Sequence, residues 1–494
     1  MSRFFIKVFV PGPFFEPLTY SSDKPIEAGL RVKAPLGSRE IVGISAGEAS
    51  EPQDLSTIKS ILEVLDDAPV IDPSHHALIR FASDYYLTPA GDLLLSSLPT
   101  AIRKGKPFPL AKTEQGQSQP PHYPLTDEQQ HAIDCVNQAS GNFQCFLLQG
   151  VTGSGKTQVF SELIRKTLER GAQVLLLVPE IGLTGQMVTR IQQQLTGTLA
   201  VSHSGLADGA RAKAFVAASQ GTADVLIGTR SALFTPMPNL GLILVDEEHD
   251  GAYKNQEGCR YSARDLAIVR AQQMRIPVVL SSATPSLESW HQAEFGKYIR
   301  LRLSSRPGQQ PSPTIRLIDA RHDKPKDGLS DASRRAIRDA IDRQQQALVF
   351  LNRRGYSPVL MCADCGWIPG CRHCDAKPTL HRHPNVLWCH HCDHRQQSIT
   401  VCPECSGLNL LAVGLGTERL EEALATAFPD TPIIRVDRDT TARRRAFEQL
   451  IQPVIDGDPC ILVGTQMLAK GHDFKNLSTV IVTDADQGLS GADF

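Results

Sequence analysis

The sequence contains no run of about 18 uncharged apolar residues, so no transmembrane span is supported and no membrane partner is expected. It has no basic excess: 51 Lys and Arg stand against 53 Asp and Glu, a formal charge of −2, so any nucleic-acid partner must be argued from local groups. No internal repeat of about 20–50 residues is evident, although two α/β halves further along are candidates for a distant duplication. The start, Met1–Val10, is basic and apolar but is interrupted by Lys7 and runs into Pro11 and Pro13, and so reads as a first strand and not as a signal peptide. Cysteine is sparse outside one block. Cys135, Cys145, Cys259 and Cys460 are scattered singly, while the other eight lie between Cys362 and Cys405. Such clustering without a secretion signal argues for metal in a reducing cytoplasm and against a disulfide framework. The 494 residues should hold roughly three domains on the ~150-residue expectation.

What the sequence does contain is organised around Gly150-Val151-Thr152-Gly153-Ser154-Gly155-Lys156-Thr157. This stretch follows the apolar run Cys145–Leu148 and precedes the helical pattern Gln158–Ile164. A strand, a glycine-rich loop and a helix start form the phosphate-binding loop: backbone N–H groups point at a polyphosphate, Lys156 reaches the outer phosphates, and the Thr157 hydroxyl holds Mg²⁺. A flexible surface turn would need neither the full eight-residue pattern nor those flanks. Downstream, Leu242–Val245 ends in Asp246-Glu247-Glu248-His249, which puts an acidic pair at the end of a buried strand. Asp246 suits the Mg²⁺ shell and Glu247 suits orientation of the attacking water. Ser281-Ser282-Ala283-Thr284-Pro285 supplies a hydroxyl-rich turn at the same edge.

In chain order, residues 1–102 begin with β-like segments (5–10, 29–34, 40–45) and turn helical through 75–86. They read as a small β-rich mixed domain. Residues 103–124 are polar and proline-rich and read as a linker. From Leu125 apolar runs at 145–148, 174–178, 199–201, 224–227, 242–245 and 277–280 alternate with helical stretches. A second set follows at 347–351, 432–436, 460–463 and 479–483, with the cysteine block inside it. Alternation of this kind predicts doubly wound parallel sheets, whose ligands sit at the carboxyl ends of the strands. The cysteines run Cys362-x2-Cys365-x5-Cys371-x2-Cys374-x14-Cys389-x2-Cys392-x9-Cys402-x2-Cys405. Four C-x2-C knuckles suffice for two closed Cys₄ zinc sites, and their spacing leaves the pairing open. With the thiolate sets complete, His373, His390, His391 and His394 read as solvated surface.

These elements resemble the superfamily 2 DExH helicases. Leu125-Thr126-Asp127-Glu128-Gln129 resembles the adenine-reading motif, with Gln129 as the contact. Pro179–Thr184 and Gly228-Thr229-Arg230-Ser231 resemble the first lobe's DNA-backbone motifs, and Phe350–Tyr356 and Gly464–His472 resemble motifs of the second lobe. The closeness of the last two, with 178–184 and 246–250, narrows the resemblance to the bacterial replication-restart helicases, over essentially the whole chain. That family implies that the loop Tyr253–Arg264 meets single-stranded DNA, with bases stacking on Tyr253 or Tyr261 and Lys254, Arg260 and Arg264 on phosphates. Cys259 stands where the family usually has tryptophan, so one stacking surface is expected to be lost. The resemblance implies nested zinc pairing: Cys371, Cys374, Cys389 and Cys392 on one ion, Cys362, Cys365, Cys402 and Cys405 on the other. It also implies a DNA 3′-end-binding first domain, in which Gly37 and Lys59 line the pocket for the terminal nucleotide. Leu18-Thr19 replace the family's Phe-Asp there, which should weaken or alter end recognition.

Two departures from the family are expected to matter. Residues 103–124 are too few for the family's winged-helix domain. The sequence also reaches Phe494 before the family's Gln-x-x-Gly-Arg-x-Gly-Arg motif, so a fragment, a truncation or a degenerate copy with feeble hydrolysis is expected. The fold expectation is α/β: two RecA-like doubly wound lobes with a Cys-rich zinc-binding insertion in the second, after the N-terminal domain. Its boundaries are 1–102 for the end-binding-like domain, 103–124 for the linker and 125–305 for the ATP-binding lobe. Residues 306–360 with 408–494 form the second lobe, and 361–407 the zinc insertion. The expected function is an ATP- and Mg²⁺-dependent 3′-to-5′ DNA helicase of replication restart, cytoplasmic and carrying two Zn²⁺. Its expected partners are single-stranded and forked DNA, primosome proteins, single-stranded DNA-binding protein and the replicative helicase loader. The alternatives are a duplex translocase or RNA helicase of the same superfamily, or an ATPase-deficient DNA- or primosome-binding module.

Overall fold

Short alternating apolar runs at the start of the chain fold as an antiparallel sheet in the computed structural model. It describes residues 3–485 apart from 110, 112, 116–123, 180–191, 194–196, 305, 307–312, 321, 324, 327, 352–358, 375–376, 382–385, 390, 414–416, 437–443, 465–473, 475 and 484. The strands are β1 (Phe4–Phe9), β2 (Leu18–Ser22), β3 (Arg31–Leu36), β4 (Arg39–Glu48) and β5 (Glu63–Val64), in the order β2-β1-β4-β3-β5. Three helices follow, Pro73–Tyr86, Ala90–Ser97 and Thr100–Arg103. The first is started by Asp72, whose carboxylate accepts from the His75 N–H, with Pro73 in the first turn where its missing N–H costs nothing. Gly91 lets the second helix sit on β1: a Cβ there would stand 2.0 Å from the Val10 carbonyl oxygen.

The next strands are β6 (Glu114–Gln115), β7 (Gln144–Gly150), β8 (Gln173–Leu177), β9 (Thr198–Ser202), β10 (Val225–Gly228), β11 (Leu240–Val245), β12 (Pro277–Ser282) and β13 (Ile299–Leu303). They form one sheet in the order β13-β7-β12-β11-β8-β10-β9-β6. All pairings are parallel except that of β6 with β9. Both faces are covered, so the strands read as continuous apolar runs. Leu175, Leu177, Ile243 and Val245 pack into one core, while Val174, Leu176, Leu242 and Leu244 pack into another with the helices Asp127–Gln138 and Lys156–Leu168.

The chain divides into two compact units, Met1–Ser312 and Pro313–Phe494. The first joins what the sequence suggested were a separate domain, a linker and a lobe. Its N-terminal helices contribute Leu78, Ile79, Leu94 and Ile102 to the same core as Phe215, Phe234 and Leu266. Residues 114–115 of the supposed linker add an edge strand to β9. The Tyr86 hydroxyl accepts from the Ser262 N–H at 3.1 Å. Arg270 donates to the Leu233 and Thr235 carbonyls at 2.5 and 2.9 Å. Burial and neighbouring Arg270 push His75 down to about 3, so it stays neutral.

In the second unit β14 (Gln346–Leu351), β20 (Ile433–Val436), β21 (Ile461–Gly464) and β22 (Leu477–Thr483) form a parallel sheet in the order β20-β21-β14-β22. The inserted block begins and ends on an antiparallel pair, β15 (Val359–Cys362) with β19 (Leu410–Val413). Between them β16 (Thr379–His381), β17 (Val386–Trp388) and β18 (Arg395–Gln397) make a small meander. Sequence patterning missed β2, β5 and β13, as well as β6 and the short strands β15–β19. The first two are short edge strands, and β13 alternates Ile299-Arg300-Leu301-Arg302-Leu303 on the margin of its sheet.

One ion pair fixes the N-terminal domain. Arg31 is 1 % exposed, and its guanidinium meets Asp66 at 2.6 Å while donating to the Ile102 and Lys106 carbonyls at 2.7 and 2.9 Å. Removing one partner of a buried pair leaves a charge that nothing solvates. Asp66→Asn should cost about 3–5 kcal/mol in denaturant unfolding of the full chain. A loss below about 1 kcal/mol, the range of exposed pairs, would contradict the assignment.

Candidate nucleotide-binding site and cysteine clusters

The phosphate loop is shaped by the glycines the sequence places in it. Gly153 and Gly155 both have φ +83°, a backbone region that side chains rarely adopt. Gly155 also has no room for a Cβ, which would stand 2.3 Å from the Gln129 amide nitrogen. Gln129 is fixed from both sides. It completes a capping box with Thr126 at the start of the helix Asp127–Gln138, and its amide donates to the Ser154 carbonyl at 3.0 Å. Lys156, the first residue of the following helix, donates to the Gly150 carbonyl at 2.9 Å. The Ser154 hydroxyl is buried without a hydrogen-bond partner among the described residues.

The acidic residues arrive on β11, two strands away from β7 in the sheet. Asp246 accepts from the Glu247 N–H at 3.1 Å, and Glu247 itself has φ 46°, a strained conformation of the kind that recurs at functional sites. Burial first and neighbouring Glu247 second raise the Asp246 carboxyl to about 6, against the opposing pull of Lys156. Glu248 is different. It is 1 % exposed and accepts from the Ser286 N–H and from the hydroxyls of Ser286 and Ser289 at 2.7, 3.0 and 2.8 Å, with Arg264 at 3.2 Å. It therefore anchors the turn after β12. His249 Nδ1 lies 2.7 Å from the Ser282 hydroxyl, which accepts from the Thr284 N–H, and 3.5 Å from Glu247. Sequence reading gave Glu248 no role. Its only signal was a third charged residue in a strand end that has to stay buried.

Gln129, the loop 150–157, Asp246 and Glu247 thus come to the carboxyl edge of one sheet, as donors and acceptors suited to a Mg²⁺-polyphosphate: N–H groups, one amine, the Thr157 hydroxyl and one under-solvated carboxylate.

The DNA-contact expectation for the loop after β11 is corrected at two tyrosines. Tyr253 is 2 % exposed and its hydroxyl donates to the Leu177 and Asp246 carbonyls at 3.0 and 2.6 Å. Tyr261 is 7 % exposed and stands edge-on against Phe234 with ring centroids 5.0 Å apart; burial pushes its hydroxyl up to about 12. Neither ring is open to a base, because each fills the core under the loop. Arg264 is held by Glu248, Asp265 and Ser286, since a buried carboxylate requires a cation. Arg230 donates to the Ala252 and Lys254 carbonyls, both at 3.3 Å. Lys254 is exposed, its amine 5.4 Å from the Tyr86 ring centroid, and Cys259 is buried. Gly37 and Lys59 are brought together: the Lys59 amine donates to the Gly37 carbonyl at 2.9 Å. Thr19, on β2, pairs with Lys7 of β1. Residues 180–184, 352–356, 465–472 and 490–494 of the motifs read above lie outside the described residues.

The eight clustered cysteines form two groups, Cys362, Cys365, Cys402 and Cys405, and Cys371, Cys374, Cys389 and Cys392, each with all sulfur atoms within 4.8 Å of one another. Cys362–Cys405 and Cys365–Cys402 sulfurs are 3.6 and 3.7 Å apart, and Cys371–Cys392 and Cys374–Cys389 both 3.5 Å. A tetrahedral ZnS₄ centre with Zn–S bonds of about 2.3 Å has edges of about 3.8 Å, so the donor sets fit zinc. No described cysteine is in a disulfide.

Asp246 has a consequence for pH dependence. Its folded pKa lies above the unfolded value, so the ionised form destabilises the nucleotide-free chain, and stability falls as pH rises from about 4 through about 6. Asp246→Asn should therefore stabilise the nucleotide-free chain at pH 7.5 by roughly 1–2 kcal/mol, less than the full shift because the residue is only partly buried. The gain should vanish near pH 4. Denaturant melts at the two pH values check this, and equal stability at both would contradict it.

Three stretches of the chain match known protein families. Residues 7–99 match the PriA 3′DNA-binding domain, residues 126–293 the DEAD/DEAH box helicase family, and residues 371–397 the PriA DNA helicase Cys-rich region domain. The Replication restart protein PriA of Haemophilus influenzae is 36% identical over 99% of this chain and 77% of its own length. That of Rickettsia felis is 34% identical over 99% of this chain and 75% of its own, and that of Bacillus subtilis 42% identical over 75% and 47%. A likeness that spans both the helicase region and the cysteine block at such identities places the chain in the PriA family of replication restart helicases.

Proposed function

We propose that this chain is an ATP-dependent DNA helicase that moves 3′ to 5′ on single-stranded DNA and acts in primosome assembly at stalled or repaired forks. The observation that carries the reading is the convergence of Gln129, Lys156, Asp246 and Glu247 at one sheet edge, in a chain of this family. Gln129 reads adenine. The N–H groups from Gly150 to Gly155 cradle the phosphates, Lys156 neutralises the outer ones, and Thr157 and Asp246 hold Mg²⁺. Glu247 orients the attacking water. When bound, the metal supplies charge neutralisation on the transferring phosphoryl group. Displacement of the Asp246 proton accompanies metal binding below about pH 6.

Each Cys₄ group holds one Zn²⁺, closed and structural, because four thiolates leave no open coordination position. Forked and single-stranded DNA are the partners, together with other primosome proteins, single-stranded DNA-binding protein and the helicase loader, in the cytoplasm. Gly37 and Lys59 line the site for a 3′ end, altered by Leu18 and Thr19. Lys254, exposed beside the buried tyrosines, meets phosphates.

Lys156→Ala should abolish ATP turnover, because no other cation of the loop is placed to neutralise the outer phosphates. Unchanged turnover in this variant would refute the assignment. Metal analysis should return two zinc ions per chain. Each Cys₄ site is worth an apparent ~10–16 kcal/mol in small zinc modules, so a chelator should unfold the insertion while nucleotide binding by the first unit persists. One ion or none would refute the pairing.

A further inference from the structure

A cation that no motif announces lies over the phosphate loop. β13 runs beside β7 until Leu303 pairs with Gly150, and the Val151 N–H donates to the Leu303 carbonyl at 3.3 Å. The next residue, Ser304, is fixed by Glu128: its N–H donates to that carboxylate at 2.7 Å and its hydroxyl donates to the other oxygen. Glu128 directly precedes Gln129, so the exit of β13 is tied to the same helix start that braces Ser154. Two residues on, the Arg306 side chain covers Gly153: its Cδ and Nε lie 3.8 Å from where a Cβ on that glycine would stand.

We infer that Arg306 is a nucleotide-binding residue that holds the α- and β-phosphates from the first unit itself. The inference rests on the nucleotide-binding reading above and adds a contact to it. Loop N–H groups of this pattern cradle the α- and β-phosphates, while the loop lysine serves the outer ones, so a guanidinium over Gly153 faces the part of the ligand that ATP and ADP share. A guanidinium has five donors, cannot lose its proton, and bonds phosphate oxygens in pairs, which suits a fixed anchor.

Arg306→Met keeps the aliphatic stem over Gly153 and removes the charge. Calorimetric titration of the full chain with Mg·ATP and with Mg·ADP should show both dissociation constants raised roughly ten-fold or more, the loss of a charge-assisted contact, with the melting temperature unchanged. Arg306→Lys should recover part of the affinity for both. Wild-type affinity in Arg306→Met would overturn the inference, as would a loss confined to ATP, which would mean that the residue acts on the outermost phosphate. A wild-type chain that binds neither nucleotide would overturn the reading of the whole site, Arg306 with it; binding by wild type separates the two failures.

Discussion

Parallel strands share a direction, and that constraint governs the first unit. β7 is hydrogen-bonded on both edges, to β12 and to β13, and its interior residues are buried, so neither its register nor its direction can change without losing both pairings and the burial of its side chains. Its carboxyl end must then lie beside those of β11 and β12. The phosphate loop, the acids at 246–248 and the hydroxyl turn at 281–284 are separated by long stretches of sequence, and they meet because each follows a strand of this one sheet. No contact between them is needed to bring them together. Contacts such as Gln129 to Ser154, His249 to Ser282 and Glu248 to the start of the helix Leu287–Glu294 refine a placement the topology has already made.

The parts of this site legible in the sequence are those whose chemistry is contiguous. A glycine loop needs its glycines within one short stretch, here at 150, 153 and 155, and a thiolate knuckle needs its cysteines three positions apart, so both patterns survive as strings. The grouping of four knuckles into two sets was not in the spacing; it came from a family resemblance, and the sulfur distances arrive at the same grouping by geometry. Tyr253, Tyr261 and Arg264 show where strings fail. Aromatic and basic residues in a loop read as a nucleic-acid surface, but the direction of a side chain depends on what lies beneath the loop. Here Phe234 and the carbonyl ends of β8 and β11 lie beneath it, and they take both rings. Arg306 was illegible for the opposite reason. It belongs to no pattern, and only the pairing of β13 with β7 brings it to Gly153.

The same limit applies to domain organisation. A proline-rich stretch between two differently patterned regions reads as a linker, and what packs across it is not written in the string. The N-terminal helices instead pack on the helices Ala263–Met274 and Asp208–Ser219, so that Leu78, Ile79 and Leu94 share one core with Leu175 and Ile243 of the parallel sheet. A core assembled from helices so far apart in the chain leaves no local trace beyond the amphipathic pattern of each helix. Two polar groups are buried along this contact: His75, a neutral imidazole, and Arg270, a guanidinium that spends its donors on two carbonyls. Arg270 defines one docking geometry, because any slip would strand its donors in a dry interior.

Asp246 and Glu248 stand two residues apart at the end of one strand, and the protein treats them in opposite ways. Glu248 receives an N–H, two hydroxyls and a guanidinium, which is nearly all a carboxylate can accept, and it has no capacity left for a ligand. Asp246 receives few donors, lies beside a second carboxylate and is held in a site where burial raises its pKa to about 6. Its shortage of partners is a standing cost to the nucleotide-free chain and a gain to any cation that arrives, since a divalent ion supplies what the protein withholds. Saturating both acids would give a more stable strand end with no affinity for metal. Starving both would leave two unpaired charges against the core. The division between them follows from the side chains each one meets: Ser286, Ser289 and Arg264 for Glu248, and the open edge of the sheet for Asp246.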